Sequence, residues 1–235
     1  MVEVPDEDGF TFDLEQDSLA DCMGAKIPAR SLMVISSPVG GGKSLISQRL
    51  TFGLLENGAK VVVVTTELTT RGWIEQMHSI GYWVTERIKS GKLLVISKYG
   101  TVAQSAPDVG LEEVLESEAV KVADFIIIDS ASSIIPETLE NGEQHALVER
   151  LRGFCAQGHT ILLTCDSDQT DPELLQKLRG TAEVVLDLDH AIIGGAMTRT
   201  IVVTRFLRAA GPVQSTIGWR VEPGMGFIVD ITAVS

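Results

Sequence analysis

Short apolar runs separated by stretches of helical periodicity constrain this chain more than any other feature. Leu32–Ile35, Val61–Val64, Phe125–Ile128 and Ile161–Leu163 are aliphatic or aromatic throughout and carry no charge. Such runs suit central parallel strands covered on both faces. Near-helical apolar spacing marks Leu45–Leu55, Arg71–Ile80, Val109–Lys121 and His145–Ala156, and Asn57-Gly58 closes the first of these as a cap. Lys92–Ser97 reads as a further strand. The alternation predicts an α/β fold with a mainly parallel central sheet flanked by helices. The last quarter differs. Ala182–Leu188, Arg199–Leu207, Thr216–Val221 and Phe227–Ile231 read as strands joined by turns at Gly194-Gly195, Ala209–Gly211 and Pro223-Gly224. That pattern predicts an antiparallel β extension of the same sheet. Residues 1–17 are rich in acids and show little periodicity, so they read as an exposed lead-in to a single domain over 18–235.

Charge and composition exclude several function classes. The chain has 235 residues, with 19 Lys and Arg against 32 Asp and Glu, a net charge of −13. A surface that acidic repels phosphate backbones and argues against general nucleic-acid binding, while leaving room for one small basic site. Cys22, Cys155 and Cys165 fit neither a disulfide framework nor a zinc site, and read as reduced, partly buried thiols. The four histidines have no ligand spacing. The apolar runs fall far short of the ~20 residues that span a bilayer. The acidic N-terminus lacks the basic start and apolar stretch of a signal peptide. A soluble protein is expected, with any membrane association through a partner.

Between the strand at Leu32 and the helix at Leu45, Ser37 is followed by Pro38-Val39-Gly40-Gly41-Gly42-Lys43-Ser44. A phosphate-binding loop reads G-x-x-x-x-G-K-[ST] between a strand and a helix. Ser37 stands for the first glycine and the remaining positions match. The loop's task is to converge backbone N–H groups from Val39 to Leu45 on an anion. Gly40, Gly41 and Gly42 permit unusual dihedrals and close approach. The helix N-terminus adds its positive end. Lys43 would reach the β- and γ-phosphates, and the Ser44 hydroxyl would ligate Mg²⁺.

Phe125-Ile126-Ile127-Ile128-Asp129 supplies the partner element, an apolar strand ending in an acid. Asp129 would hold a Mg²⁺-bound water; the plain alternative is a strand-end or capping carboxylate. Thr164, at the end of a later strand, would sense the γ-phosphate or simply bond to backbone. Asp166 beyond it reads as a loop residue.

With these residues placed, the chain resembles RecA/KaiC-type P-loop ATPase domains. More narrowly it is similar to the FlaH (ArlH) family, the KaiC-like proteins of the archaellum (archaeal flagellum) motor. Ala25–Ser31 resembles the superfamily's approach to the first strand. Val64–Thr70, Ile74–Met77 and Ser79–Tyr82 resemble the family's stretch after the second strand. Ala191–Gly195 and Val221–Phe227 resemble its C-terminal β region. Together these cover nearly all of residues 18–235. The resemblance implies ATP binding with Mg²⁺ and weak or no hydrolysis. It implies a nucleotide-dependent regulatory or assembly role in a homo-hexameric ring. It also implies docking to the motor ATPase FlaI and other membrane-associated motor components, from a cytoplasmic position peripheral to the membrane. Glu67 matches the residue that orients the attacking water in RecA-like ATPases; a surface or capping carboxylate is the plain alternative. Arg205 and Arg208 lie where ring-forming relatives present a basic residue to the neighbouring subunit's nucleotide; solvated or paired arginines are the alternative. Three departures stand out: Ser37 for the first loop glycine, Ala25 where many relatives have glycine, and Leu68 where KaiC-type hydrolases carry a second acid after Glu67. An actively hydrolysing ATPase, with Glu67 as base and Ser44 and Asp129 handling Mg²⁺, is the competing expectation. A recombinase needs basic DNA-binding loops, and the segment from Asp129 to Gln144 has no basic cluster.

Overall fold

Successive strand side chains point to opposite faces, so Val61 and Val63 share one side and Val62 and Val64 the other. All four are at most 4% exposed, so their strand is covered on both faces. The computed structural model describes residues 9–100, 110–136, 139–193 and 196–230. Its N-terminal elements are β1 (Gly9–Thr11), α1 (Leu19–Cys22), β2 (Lys26–Pro28), β3 (Leu32–Ser37) and α2 (Lys43–Glu56). The central ones are β4 (Val61–Thr65), α3 (Thr70–Ser79), α4 (Thr85–Lys89), β5 (Leu93–Ser97), α5 (Leu111–Glu116), α6 (Glu118–Lys121) and β6 (Phe125–Asp129). Then come α7 (Asn141–Ala156), β7 (Thr160–Asp166), α8 (Pro172–Thr181), β8 (Val184–Ile193), β9 (Ala196–Phe206), β10 (Thr216–Glu222) and β11 (Gly226–Val229).

Among the described residues the main sheet has nine strands in the order β11-β10-β9-β8-β3-β7-β6-β4-β5. From β8 through β5 every pairing is parallel; β8 to β11 pair antiparallel. The predicted parallel sheet with an antiparallel extension is what the chain forms. Apolar residues fill both faces. Met33, Ile35, Val61, Val63 and Ile127 pack under α2 and α3. Leu32, Val34, Val62, Val64 and Ile128 pack under α7 and α8. The carboxyl ends of β3, β4, β6 and β7 meet at one edge, where Ser37 pairs with Asp166 and Thr65 with Asp129. Open parallel sheets present their ligand crevices at that edge.

Several boundaries differ from the sequence reading. The helix expected over 109–121 breaks at Ser117, whose hydroxyl accepts from the Val120 N–H and caps α6. Val109, Ile231 and the Gly194-Gly195 turn lie outside the described residues, as do residues 1–8. Ala25 adopts φ 64°, the left-handed backbone that favours glycine. All three cysteines are free and buried.

Residues 9–17 are not an exposed lead-in. β1 pairs with β2 and Phe12 is fully buried. Asp17 and Arg49 form an ion pair in which both side chains are fully buried. Arg49 Nη2 reaches Asp17 Oδ1 at 2.6 Å, Nε reaches Oδ2 at 2.7 Å, and Nη1 donates to the Phe12 carbonyl at 2.8 Å. The acids there are not all solvated; one neutralises a buried arginine. Asp17→Ala leaves that charge uncompensated and is expected to cost about 3–5 kcal/mol in urea denaturation.

Candidate functional site

The turn from β3 into α2 is shaped by its glycines. Gly40 and Gly42 have φ of 80° and 99°. A Cβ on Gly41 would meet Ser37 Oγ at 2.4 Å, and one on Gly42 would meet the Trp219 ring at 2.5 Å. Ser37 remains in strand conformation as the last residue of β3, so the missing first glycine is tolerated. Gly42 is the N-cap of α2 and offers no side-chain acceptor. The first-turn amides therefore have no cap to satisfy them.

Lys43 is 7% exposed and folds back over this turn. Its Nζ donates to the carbonyls of Ser37 and Pro38, both at 3.2 Å, and to Asp166 Oδ2 at 3.3 Å. Val39, Gly40, Gly42, Lys43, Ser44, Leu45, Glu67, Asp166 and Gln169 line a cleft of about 360 Å³. The structure thus brings the loop residues, Lys43, Ser44 and Glu67 together.

Asp129 lies one layer beneath, 3% exposed. Its Oδ2 accepts from Ser47 at 3.0 Å and its Oδ1 from Thr164 at 2.7 Å. Thr164 is fully buried, and its hydroxyl is turned onto Asp129 rather than towards the cleft. It positions the carboxylate. Arg205 donates to the carbonyls of Arg179 and Gly180, and Arg208 to that of Ala29. Neither arginine lines this chain's own cleft.

Glu67 stands at the rim just beyond β4. Partial burial raises its carboxyl above the usual range, the charges of Asp129 and Asp166 raise it further, and Lys43 opposes them. Leu68, the departure from a paired acid, packs against the core beneath α3. Asp166, read from the sequence as a loop residue, is instead the last residue of β7 and the counter-ion of Lys43. The apolar run before it was a usable signal, since it extends the strand to that point. Trp219 on β10 was likewise missed: its indole edge lies against Gly42, with Arg199 over the ring at 5.6 Å.

Among the described residues, no group of three or more His, Cys, Asp or Glu side chains is placed to hold a metal. The Ser44 hydroxyl and the Asp129 carboxylate are nevertheless hard oxygen donors that suit Mg²⁺. Such a pair fits an ion that takes its other ligands from phosphate and water.

A glycine-shaped turn at the head of a parallel strand, with a buried lysine and acids on the neighbouring strand ends, defines the P-loop ATPase class of RecA-like folds. The family described as "ATPase: KaiC" matches residues 17–214. The archaeal flagellar ATP-binding protein FlaH of Methanocaldococcus jannaschii is 31% identical over 224 residues, covering 95% of this chain and 96% of that protein. FlaH of Methanococcus voltae is 27% identical, covering 95% and 97%. The crystal structure of the flagellar accessory protein FlaH from M. jannaschii superposes with a TM-score of 0.85 at 29% identity, covering 95% and 99%. A KaiC-like protein of Pyrococcus horikoshii shares the fold, with a TM-score of 0.71 at 17% identity, covering 95% and 97%. The chain is a KaiC-like ATPase-fold protein, and within that class it belongs to the FlaH family.

Gly42→Ala places a side chain against Trp219 on a backbone that disfavours one. It is expected to destabilise the protein by more than about 1 kcal/mol in thermal melts, with the Trp219 environment altered in near-UV circular dichroism.

Proposed function

We propose that this chain is an ATP-binding subunit of the archaeal flagellar motor, acting chiefly as a nucleotide-dependent assembly or regulatory component. The observation that carries the reading is the Lys43 ammonium, held over a turn whose first-helix amides lack a side-chain cap, in a member of the FlaH family. The triphosphate sits on the amides from Val39 to Leu45, and Lys43 leaves its carbonyl partners for the β- and γ-phosphates. Ser44 would ligate Mg²⁺ and Asp129 would hold one of the ion's waters, a role that its burial suits. An ion held there would supply charge to offset the phosphates. Ser47 and Thr164 each aim one carboxylate oxygen of Asp129 through a hydroxyl.

Slow or absent turnover is favoured by the single acid at the rim. Glu67 has no acidic successor: Leu68 follows it and is partly buried against the core. The position of Glu67 on the cleft wall is the observation that favours the second reading, a working ATPase. A hexameric ring, docking to FlaI and to membrane-associated components, and a cytoplasmic site at the motor complete the proposal. Among the described residues no helix is long and apolar enough to cross a membrane, so attachment through a partner is the route proposed.

Lys43→Ala removes charge-assisted contacts and is expected to weaken ATP binding roughly 10- to 100-fold by isothermal titration; unchanged affinity would refute the site. Steady-state turnover separates the two readings. Equally slow rates in wild type and Glu67→Gln support the switch, whereas a substantial wild-type rate that collapses in Glu67→Gln supports the working ATPase.

A further inference from the structure

The same salt bridge that shelters Lys43 brings a carboxylate into the cleft. Asp166 ends β7 opposite Ser37, at the base of the loop. It is 5% exposed and held from three sides. Its Oδ2 faces Lys43 Nζ at 3.3 Å, its Oδ1 accepts from the Asp168 N–H at 3.0 Å, and its own N–H donates to Ser132 Oγ at 2.7 Å. A carboxylate fixed in this way stays beside the cleft when Lys43 changes partners. Glu67 shares the wall and Asp129 lies below. The lysine is therefore outnumbered by carboxylates before any phosphate arrives.

A triphosphate adds several negative charges to that setting. Charges a few ångströms apart at a partly buried site interact strongly, because water screens them less than at the surface. We propose that Asp166 is a specificity-determining residue that makes triphosphate binding depend on a divalent cation. A metal-free triphosphate must draw Lys43 from its counter-ion and then lie against the carboxylate left behind. A metal-complexed triphosphate arrives with much of its charge already offset. This inference rests on the cleft being the nucleotide site.

The test compares ATP in excess EDTA with ATP in saturating Mg²⁺, by isothermal titration on the full chain, for wild type, Asp166→Asn and Asp166→Glu. Wild type is expected to bind the metal complex far more tightly than metal-free ATP. Asp166→Asn should narrow that ratio about 10-fold, through tighter metal-free binding, since it removes one charge from the site. Asp166→Glu, which keeps the charge, should retain the wild-type ratio. An Asn variant with a wild-type melting temperature and an unchanged ratio would overturn the proposal. So would a ratio narrowed only by weaker binding of the metal complex, which would make Asp166 a metal ligand instead. The wild type alone suffices if Asp166→Asn does not fold: metal-free ATP bound within threefold of the complex would also overturn it. Failure of the underlying reading looks different, because wild type would then bind neither form, or Lys43→Ala would bind both as wild type does.

Discussion

A lysine ammonium almost closed off from water must have partners, because an unpaired buried charge is among the costliest defects a fold can carry. Lys43 satisfies that requirement with two carbonyls of its own loop and one carboxylate from β7. The carbonyls are within reach only because the chain reverses tightly between Ser37 and Lys43, and the reversal needs glycine at Gly40 and Gly42. The carboxylate is within reach only because β3 and β7 are parallel neighbours with Ser37 opposite Asp166. Loop shape, strand order and charge balance thus form one linked condition.

The antiparallel extension belongs to the same condition. β10 carries Trp219 to the back of the loop, where the ring edge occupies the space that a Gly42 side chain would need. Trp219 also stacks on Phe227 of β11, with ring centroids 5.4 Å apart. The turn that grips the lysine is consequently backed by strands from the opposite end of the sequence. This gives the extension a part in the cleft's architecture that its position at the far side of the sheet would not suggest.

The strands were legible because their apolar runs, though short, are unbroken and uncharged, and the loop was legible because glycine, lysine and serine fall in a fixed order. Helix α8 was also written in the sequence, with Asp171 capping it, Pro172 at the first turn and Leu174 and Leu178 buried one turn apart, although the sequence reading placed no helix there. Asp166 and Thr164 show where local reading stops. Each follows an apolar run, but whether a strand-end side chain faces the cleft or the strand beneath depends on register with a neighbour distant in sequence. Thr164 turned to Asp129, and Asp166 to Lys43. The N-terminal acids misled for a related reason. Asp17 looks solvated until Arg49, on another element, is brought against it.

That buried pair has a mechanical consequence. Arg49 sits on the helix that begins at Lys43, and its guanidinium is fastened to both Asp17 and the Phe12 carbonyl. The helix is moored partway along its length by the N-terminal segment and cannot slide along its axis without tearing three charged contacts. Whatever motion accompanies occupancy of the cleft is therefore steered into the loop, the Glu67 rim and the strand tips, while the shaft behind them acts as a fixed abutment.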